Sequence, residues 1–541
     1  TNPTLYILSR RNSRLGAPAA DGLVRYEPAP VVRKFTDSKD LDRYPYSLDD
    51  GRVVYTHWEY QERHFMEVHS LWTARPDGTM SDALFKQHMS APLALRAARG
   101  IPGTEKLVAV ATGHHTFSYG AVVTVAPAHG LNSESGLRVL TPEVKLQEGP
   151  MAGLPVAEGG VTDPGGLYRS PWALSEDCFL VAYAYARPNC KGTSGVDSNG
   201  FGLYMIDVYG NRELLHRDPL LCCATPIPLR PRKRPPLLPE NTGGAPVVAA
   251  ADKKDAPPGV AVCYVPDVYD GMPPEVARGT IKYLRIAQHV PWPYDQVHGT
   301  QDYISGTAGS RHLDFPAWAP VRVFGTVPVE EDGSAHFTVP SDVAIYFQAL
   351  DKRQMEVRRM RSFVSMKAGE VRGCRGCHES QSQAPAVGMG LGLAMTREPS
   401  TPTPPPWGSN QLLGFEPVVQ PIFNRHCAEC HGAQAPQGGI NLSDVRAGDG
   451  LLMSYHALFG SCGDGKATAA VLVSTADRFS NASITRPMEF GSHRSRLIRV
   501  LLEDRNHVDH VKLTPDEWTT LVTWVDANAP YHDGLLNKRP V

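Results

Sequence analysis

The chain has 541 residues, of which 42% are hydrophobic and 20% charged, and its formal net charge is −2. This is the balance of a globular protein; it excludes a general basic field for nucleic acid, so no nucleic-acid partner is expected. No apolar run approaches the roughly 18–20 residues that span a bilayer as a helix, and at roughly 100–200 residues per domain the length suggests about three domains.

The first ~225 residues read as short strands separated by turn signals. "GRVVYTHWEY" (51–60) alternates and is rich in β-branched and aromatic residues, and "HSLWTARPDGTM" (69–80) is a strand running into a Pro76-Asp77-Gly78 turn. "KLVAVATG", "YGAVVTVAP", "DCFLVAYAYA" and "FGLYMIDVYGNRELL" follow. Strands at this density suggest a sandwich, barrel or propeller. "LWTARPDG" and "LYMIDVYGN" look like one unit used twice, which favours propeller blades.

"PIPLRPRKRPPLLP" (Pro226–Pro239) is a Pro-rich, rigid surface connector. Strands resume in "VAVCYVPDVYDG" and "GTIKYLRIAQHV", and "FGTVPVEEDGSAHFTVPSDVAIYFQALD" (324–351) is a β-hairpin or small sandwich turning at Asp332-Gly333. "EPSTPTPPPW" (398–407) is the clearest domain boundary. After it, "FEPVVQPIFNRHCAECHG" reads as a helix. "TPDEWTTLVTWVDANAP" reads as another, with Thr514 as cap, Pro515 at the first helical position, and Trp518, Leu521, Val522 and Val525 on one face.

Four of the ten cysteines lie in two Cys-x-x-Cys-His strings, Cys374/Cys377/His378 and Cys427/Cys430/His431. This spacing is what covalent haem c demands: two thioethers hold the vinyl positions, and the histidine that follows is placed under the iron. A zinc knuckle wants a second Cys or His pair at short range, and a thioredoxin-type pair wants a βαβ context; neither is present. Two haem c groups are therefore expected. Haem c is attached outside the cytoplasm, so a periplasmic or other extracytoplasmic location is expected, with any signal peptide already removed. Cys178 and Cys190 are close enough to bridge a hairpin, but the sequence leaves this open.

The sixth ligand decides each haem's work. For the second haem the candidates include His456, His493, Met453 and Met488. His507 and His510 are favoured, because the chain can return there over the haem face just before the final helix. For the first haem, His114-His115 is a loop pair that could supply a distal ligand, a metal ligand or a proton donor; Met366, Met389 and Met395 lie nearer in sequence.

Several stretches resemble the hydrazine synthase alpha subunit and the related propeller-plus-haem proteins common in planctomycetes. They are "VVYTHWEY…HSLWTARPDGT", "GHHTFSYGAVV", "ATPIPLRPRKRPP", "GTVPVEEDGSAHFTVPSDVAIYFQALD", "MRSFVSMKAGEVRGCRGCHES" and "VQPIFNRHCAECHG". The resemblance implies a six-bladed, WD40/TolB-like β-propeller over 1–315 and a small β-rich middle domain with the first haem over 316–400. A Pro-rich linker (401–410) and an α-helical cytochrome c domain with a two-histidine haem (411–541) complete it. It also implies that the middle haem is the reaction site. In that family a tyrosine four residues past the motif histidine binds the iron, and the histidine turns to a zinc ion with a cysteine ligand. Here that position is Ser382, and no tyrosine occurs from Val371 to Ser400. His378 is then an iron ligand or a zinc ligand, Cys222 or Cys223 is the candidate metal-binding cysteine, and zinc or calcium is the candidate further metal.

The missing tyrosine moves weight toward electron transfer, alone or within a complex with a redox partner or other subunits. The alternatives are a redox enzyme acting on a small nitrogen species or peroxide at the first haem, and a propeller scaffold for docking.

Overall fold

The fold is that of a computed structural model, which describes residues 5–9, 14, 15, 26, 27, 31–59, 62–64, 66–114, 119–144, 167–184, 200–239, 241, 259–290, 319–377, 392–460, 471–476, 480, 481 and 483–534. It is mainly β, with several sheets and few helices. Among the described residues, no ring of six blades is closed.

Three four-stranded antiparallel meanders come first. One is Leu41–Ser47, Val53–Trp58, His69–Ala74 and Asp82–Phe85. The second is Ala94–Gly100, Leu107–Thr112, Ala121–Val125 and Leu137–Val139. The third is Leu167–Ala173, Cys178–Ala184, Gly202–Asp207 and Arg212–His216. A parallel pair, His69 with Ala94, joins the first two. His69–Ala74 and Leu107–Thr112 are buried at every position, so their side chains face protein on both sides. The two similar sequence units occupy equivalent places: each supplies a third strand and the turn after it. Asp77 accepts from Thr79 N (2.9 Å) and Asp207 from Tyr209 N (2.9 Å), and Gly78 and Gly210 take the positive φ these turns need.

The middle of the chain is two small sheets face to face. In one, Val260–Val265 lies between Ala335–Pro340, antiparallel, and Val371–Gly373, parallel. In the other, Tyr283–His289 lies between Val321–Pro328 and Ala344–Leu350, followed by Glu356–Arg359. The Asp332-Gly333 turn therefore makes the sandwich rather than the hairpin: its flanking strands enter different sheets, each with one buried face. The expected boundary at residue 315 falls between strands that share sheets. The Pro-rich linker is laid along the sandwich, where Thr403 exchanges backbone hydrogen bonds with Thr326 (2.8 and 3.0 Å). Gly325, at φ +141°, is needed there, because a Cβ would stand 2.2 Å from Thr403 O.

The C-terminal part is helical: α1 (Gln420–His426), α2 (Met453–Leu458), α3 (Arg496–Glu503), α4 (Arg505–His510) and α5 (Pro515–Asp526). A capping box starts α5, Thr514 accepting from Glu517 N and Glu517 from Thr514 N. Phe415, Phe423, Tyr455, Trp524 and Tyr531 fill its core, which continues into the middle sheet through Ala287, Val323 and Tyr346. Of the expected α5 face, Leu521, Val522 and Val525 are buried; Trp518 is half-buried and donates to Arg353 O (2.8 Å).

Candidate functional site

The second string continues the turn of α1. Cys427 N donates to Phe423 O (2.8 Å), and His431 N (2.8 Å) and Cys430 N (3.2 Å) donate to Cys427 O. Burial, with the neighbouring Cys430, pushes the Cys427 thiol up to about 11, while Cys430 is exposed. His431 and His507 stand side by side, ring centroids 6.2 Å apart and planes within 18° of parallel. In each ring Nδ1 is engaged: His431 Nδ1 lies 3.2 Å from Ile440 O, and His507 Nδ1 lies 2.8 Å from Asp504 Oδ1. Asp504 also caps α4 by accepting from His507 N (3.2 Å), so the turn that starts the helix orients its histidine. An engaged Nδ1 fixes the ring and leaves Nε2 for a metal. The two rings are close enough, with both Nδ1 atoms engaged, for His431 and His507 to be the residues that would hold a metal here. His510 instead hydrogen-bonds Asn506 O (2.7 Å). His456 is buried against Asp449 (3.1 Å).

The first string is held by β structure. Cys374 N donates to Tyr264 O (2.8 Å) and Cys377 N to Asp270 O (2.9 Å), and the Arg375 guanidinium pairs with the Asp270 carboxylate. Gly376 is required: a Cβ there would meet Asp270 O at 2.3 Å and Asp267 O at 2.8 Å. Both cysteines line a cavity of about 610 Å³ between the first meander and the middle sheets. Trp72, Phe337, Phe347, Met360 and Phe363 give it apolar walls, and Arg75, Arg358, Arg361 and Arg372 bring cations to it. This volume suits a cofactor, and the walls suit a flat apolar macrocycle whose carboxylates meet guanidiniums. Arg372 ties the string to the first meander through Asp82 (2.6 Å) and Ser81 O (2.8 Å). His378 lies outside the described residues.

The cavity also takes in Gln87, His88 and Ser362, which the sequence did not single out. Gln87 and Ser362 both donate to Glu59 Oε1 (3.0 and 2.7 Å). They come from segments some 270 residues apart, and no local pattern marks them.

The other candidates lie elsewhere. His114 is buried with its Nδ1 3.2 Å from His69 Nε2 and does not line the cavity; His115 lies outside the described residues. Cys222 and Cys223 are half-buried and also away from it. Among the described residues, no group of three or more His, Cys, Asp or Glu side chains could hold a metal ion. The Cys178–Cys190 pairing falls outside the described residues at Cys190.

Residues 279–379, the middle sandwich and the first cysteine string, match the model of the hydrazine synthase alpha subunit middle domain. The chain is thus similar to the hydrazine synthase alpha subunit, most specifically in this middle segment. It is 27% identical over 243 residues to hydrazine synthase subunit alpha of Kuenenia stuttgartiensis; the match covers 40% of this chain but only 28% of that relative's length. The solved hydrazine synthase of the same organism superimposes with a TM-score of 0.63 at 17% identity, over 100% of this chain and 82% of that one. That match is a likeness of fold. Among the described residues, no helix is long and apolar enough to cross a membrane.

Proposed function

We infer that this chain is an extracytoplasmic c-type cytochrome with two haems that transfers electrons, alone or as a subunit of a larger redox complex. The observation that carries this is the near-parallel pair His431 and His507 at 6.2 Å. Cys427 and Cys430 would attach one macrocycle in the helical part, and Cys374 and Cys377 the other in the cavity; bound haem supplies one-electron chemistry. His431 and His507 would both hold the iron of that haem, an arrangement that would suit electron passage rather than the binding of small molecules. The three N-terminal meanders are read as blades of a propeller, six-bladed in the form the resemblance implies, offering a surface for a redox partner or fellow subunits.

One observation favours a second reading, a redox enzyme acting on hydroxylamine, nitric oxide, ammonia or peroxide. Gln87, His88 and Ser362 bring polar groups into the cavity beside Cys374 and Cys377. The spectrum of the oxidised protein separates the two. Two low-spin haems inert to nitric oxide, hydroxylamine and cyanide are expected for the electron carrier. A high-spin component that shifts with these ligands would transfer the first site to the enzyme reading. A purified protein without covalent haem would end both.

A further inference from the structure

One cluster of buried charges joins all three parts of the chain. It holds Glu62 from the N-terminal part, Arg285, Gln348, Glu356 and Arg359 from the middle sheet, and Asp526 at the end of α5, all buried. Arg359 donates through Nε to Glu356 Oε1 (2.7 Å) and through Nη1 to Glu62 Oε2 (2.7 Å). Gln348 Nε2 donates to Glu356 Oε2 (2.5 Å) and Asp526 O (2.6 Å). Glu356 N donates to Asp526 Oδ2 (3.0 Å), and Arg285 Nη1 lies 3.5 Å from the same oxygen.

Three carboxylates face two guanidiniums, one negative charge too many. The remaining neighbours do not cancel it. His289, stacked on Tyr346 and 3.9 Å from Glu62 Oε1, is pushed by burial down to about 4 and stays neutral. Burial pushes the Tyr346 phenol up, so it is neutral as well. Lys39 is paired with Asp40 (2.6 Å), and Arg361 directs its guanidinium to the backbone oxygens of Glu62, Asn481 and Ser483 and shares its charge between Glu62 and Glu489, so that taking in both Arg361 and Glu489 leaves the excess at one. A dry interior sheds such a charge by binding a proton. Glu356 is the acceptor: burial, with Asp526 and Glu62 repelling its charge, outweighs Arg359 and pushes its carboxyl up to about 8. Arg359 also lines the cavity of Cys374 and Cys377. Asp526 ends the helix whose first turn, through Glu517, holds His426 beside Cys427 (3.1 Å). The cluster thus borders the first cavity through Arg359 and reaches the helical part through Asp526.

We propose that the Glu356 carboxyl, held by Arg359 and Gln348 beside the first cavity, is a proton-binding site that, in alkaline solution where it is ionised before reduction, takes up one proton as an electron arrives at the haem of that cavity. This rests on the dihaem reading. A redox partner would supply the electron to the bound haem, and the Glu356 carboxylate becomes the acid as its O–H bond forms and one O–H bond of a solvent hydronium breaks. An added negative charge in a low-dielectric region raises the proton affinity of a carboxylate that shares it.

The test is a spectroelectrochemical titration of the full-length holoprotein across pH, with wild type and Glu356→Gln. In wild type the midpoint of the first-string haem is expected to fall as pH rises through the region near 8. The slope approaches the tenfold equivalent of 59 mV per pH unit for one proton per electron. In Glu356→Gln that slope is expected to vanish while the haem spectrum persists. A pH-independent wild-type midpoint, or a slope retained in Glu356→Gln, overturns the proposal. Should the variant fail to fold, redox-difference infrared spectroscopy of wild type above pH 8 decides: a protonated-carboxyl band appearing on reduction supports the site, and its absence overturns it. Loss of the c-type spectrum altogether would remove the dihaem reading and this site with it.

Discussion

The two Cys-x-x-Cys-His strings share a pattern and little else. The second is an extension of a helix, and its paired histidine follows within 80 residues on α4, oriented by the cap of that same helix. The first is pinned by hydrogen bonds to Tyr264 and Asp270, over 100 residues upstream, and opens on a cavity walled by two parts of the chain. One site is assembled locally and closed by its own histidine pair. The other is assembled by tertiary structure and has room beside it. The same pattern can therefore serve a sealed site and a roomy one; what differs is which segments the fold brings to it.

The largest break in this contrast should come from the histidine pair. His507→Ala is expected to convert one low-spin haem to a high-spin or ligand-accessible form in the electron paramagnetic resonance spectrum, while His510→Ala leaves both signals unchanged. If His510→Ala alone has the effect, the pairing of His431 with His507 is wrong.

Next in size is Gly376→Ala, which forces a methyl against Asp270 O and Asp267 O. A loss of about 1–3 kcal/mol is expected in chemical denaturation, on the scale of overpacking, with haem lost from the first string only. Equal loss from both strings would show that the two sites are not independent.

The smallest effect concerns acid. Burial pushes the Glu517 carboxyl up, but the hydrogen bonds it accepts from Thr514, His426 and Arg425 together outweigh this and hold it at about 2. Its folded pKa lies below the unfolded value of about 4.3, so its stabilisation is present above that value and lost as pH falls toward 2. Glu517→Gln is expected to flatten that part of the stability–pH curve for the helical part. An unchanged curve would remove Glu517 from the account of how α5 is held to α1.

How much of this was legible follows from the same contrast. The strands of the first meanders, the Asp77 and Asp207 turns and the α5 cap were legible because each is a local pattern of a few residues, as is each Cys-x-x-Cys-His string. The choice between His507 and His510 was not, because it depends on which ring Asp504 orients once α4 has formed. The sharing of sheets across residue 315 was hidden too, since the pairing of Val262 with Val371 leaves no trace in either segment alone. Gln87, His88 and Ser362 look like ordinary polar residues until the sandwich sets them against Cys374. Among the site candidates, His114 belongs to an interior histidine pair, and Cys222 and Cys223 lie away from the cavity.

The parallel pairing of Val371–Gly373 with Val260–Val265 also dictates an order of biogenesis. A strand that must wait for a partner 109 positions upstream, Val371 for Val262, forms late. Once it has formed, Cys374 and Cys377 are packed against the sandwich core and their backbone is fixed. If haem is attached to this string, the interval before that strand docks is when both thiols would be most reachable by attachment machinery. A maturation defect would therefore strike this string before the helical one, whose geometry is complete within its own segment.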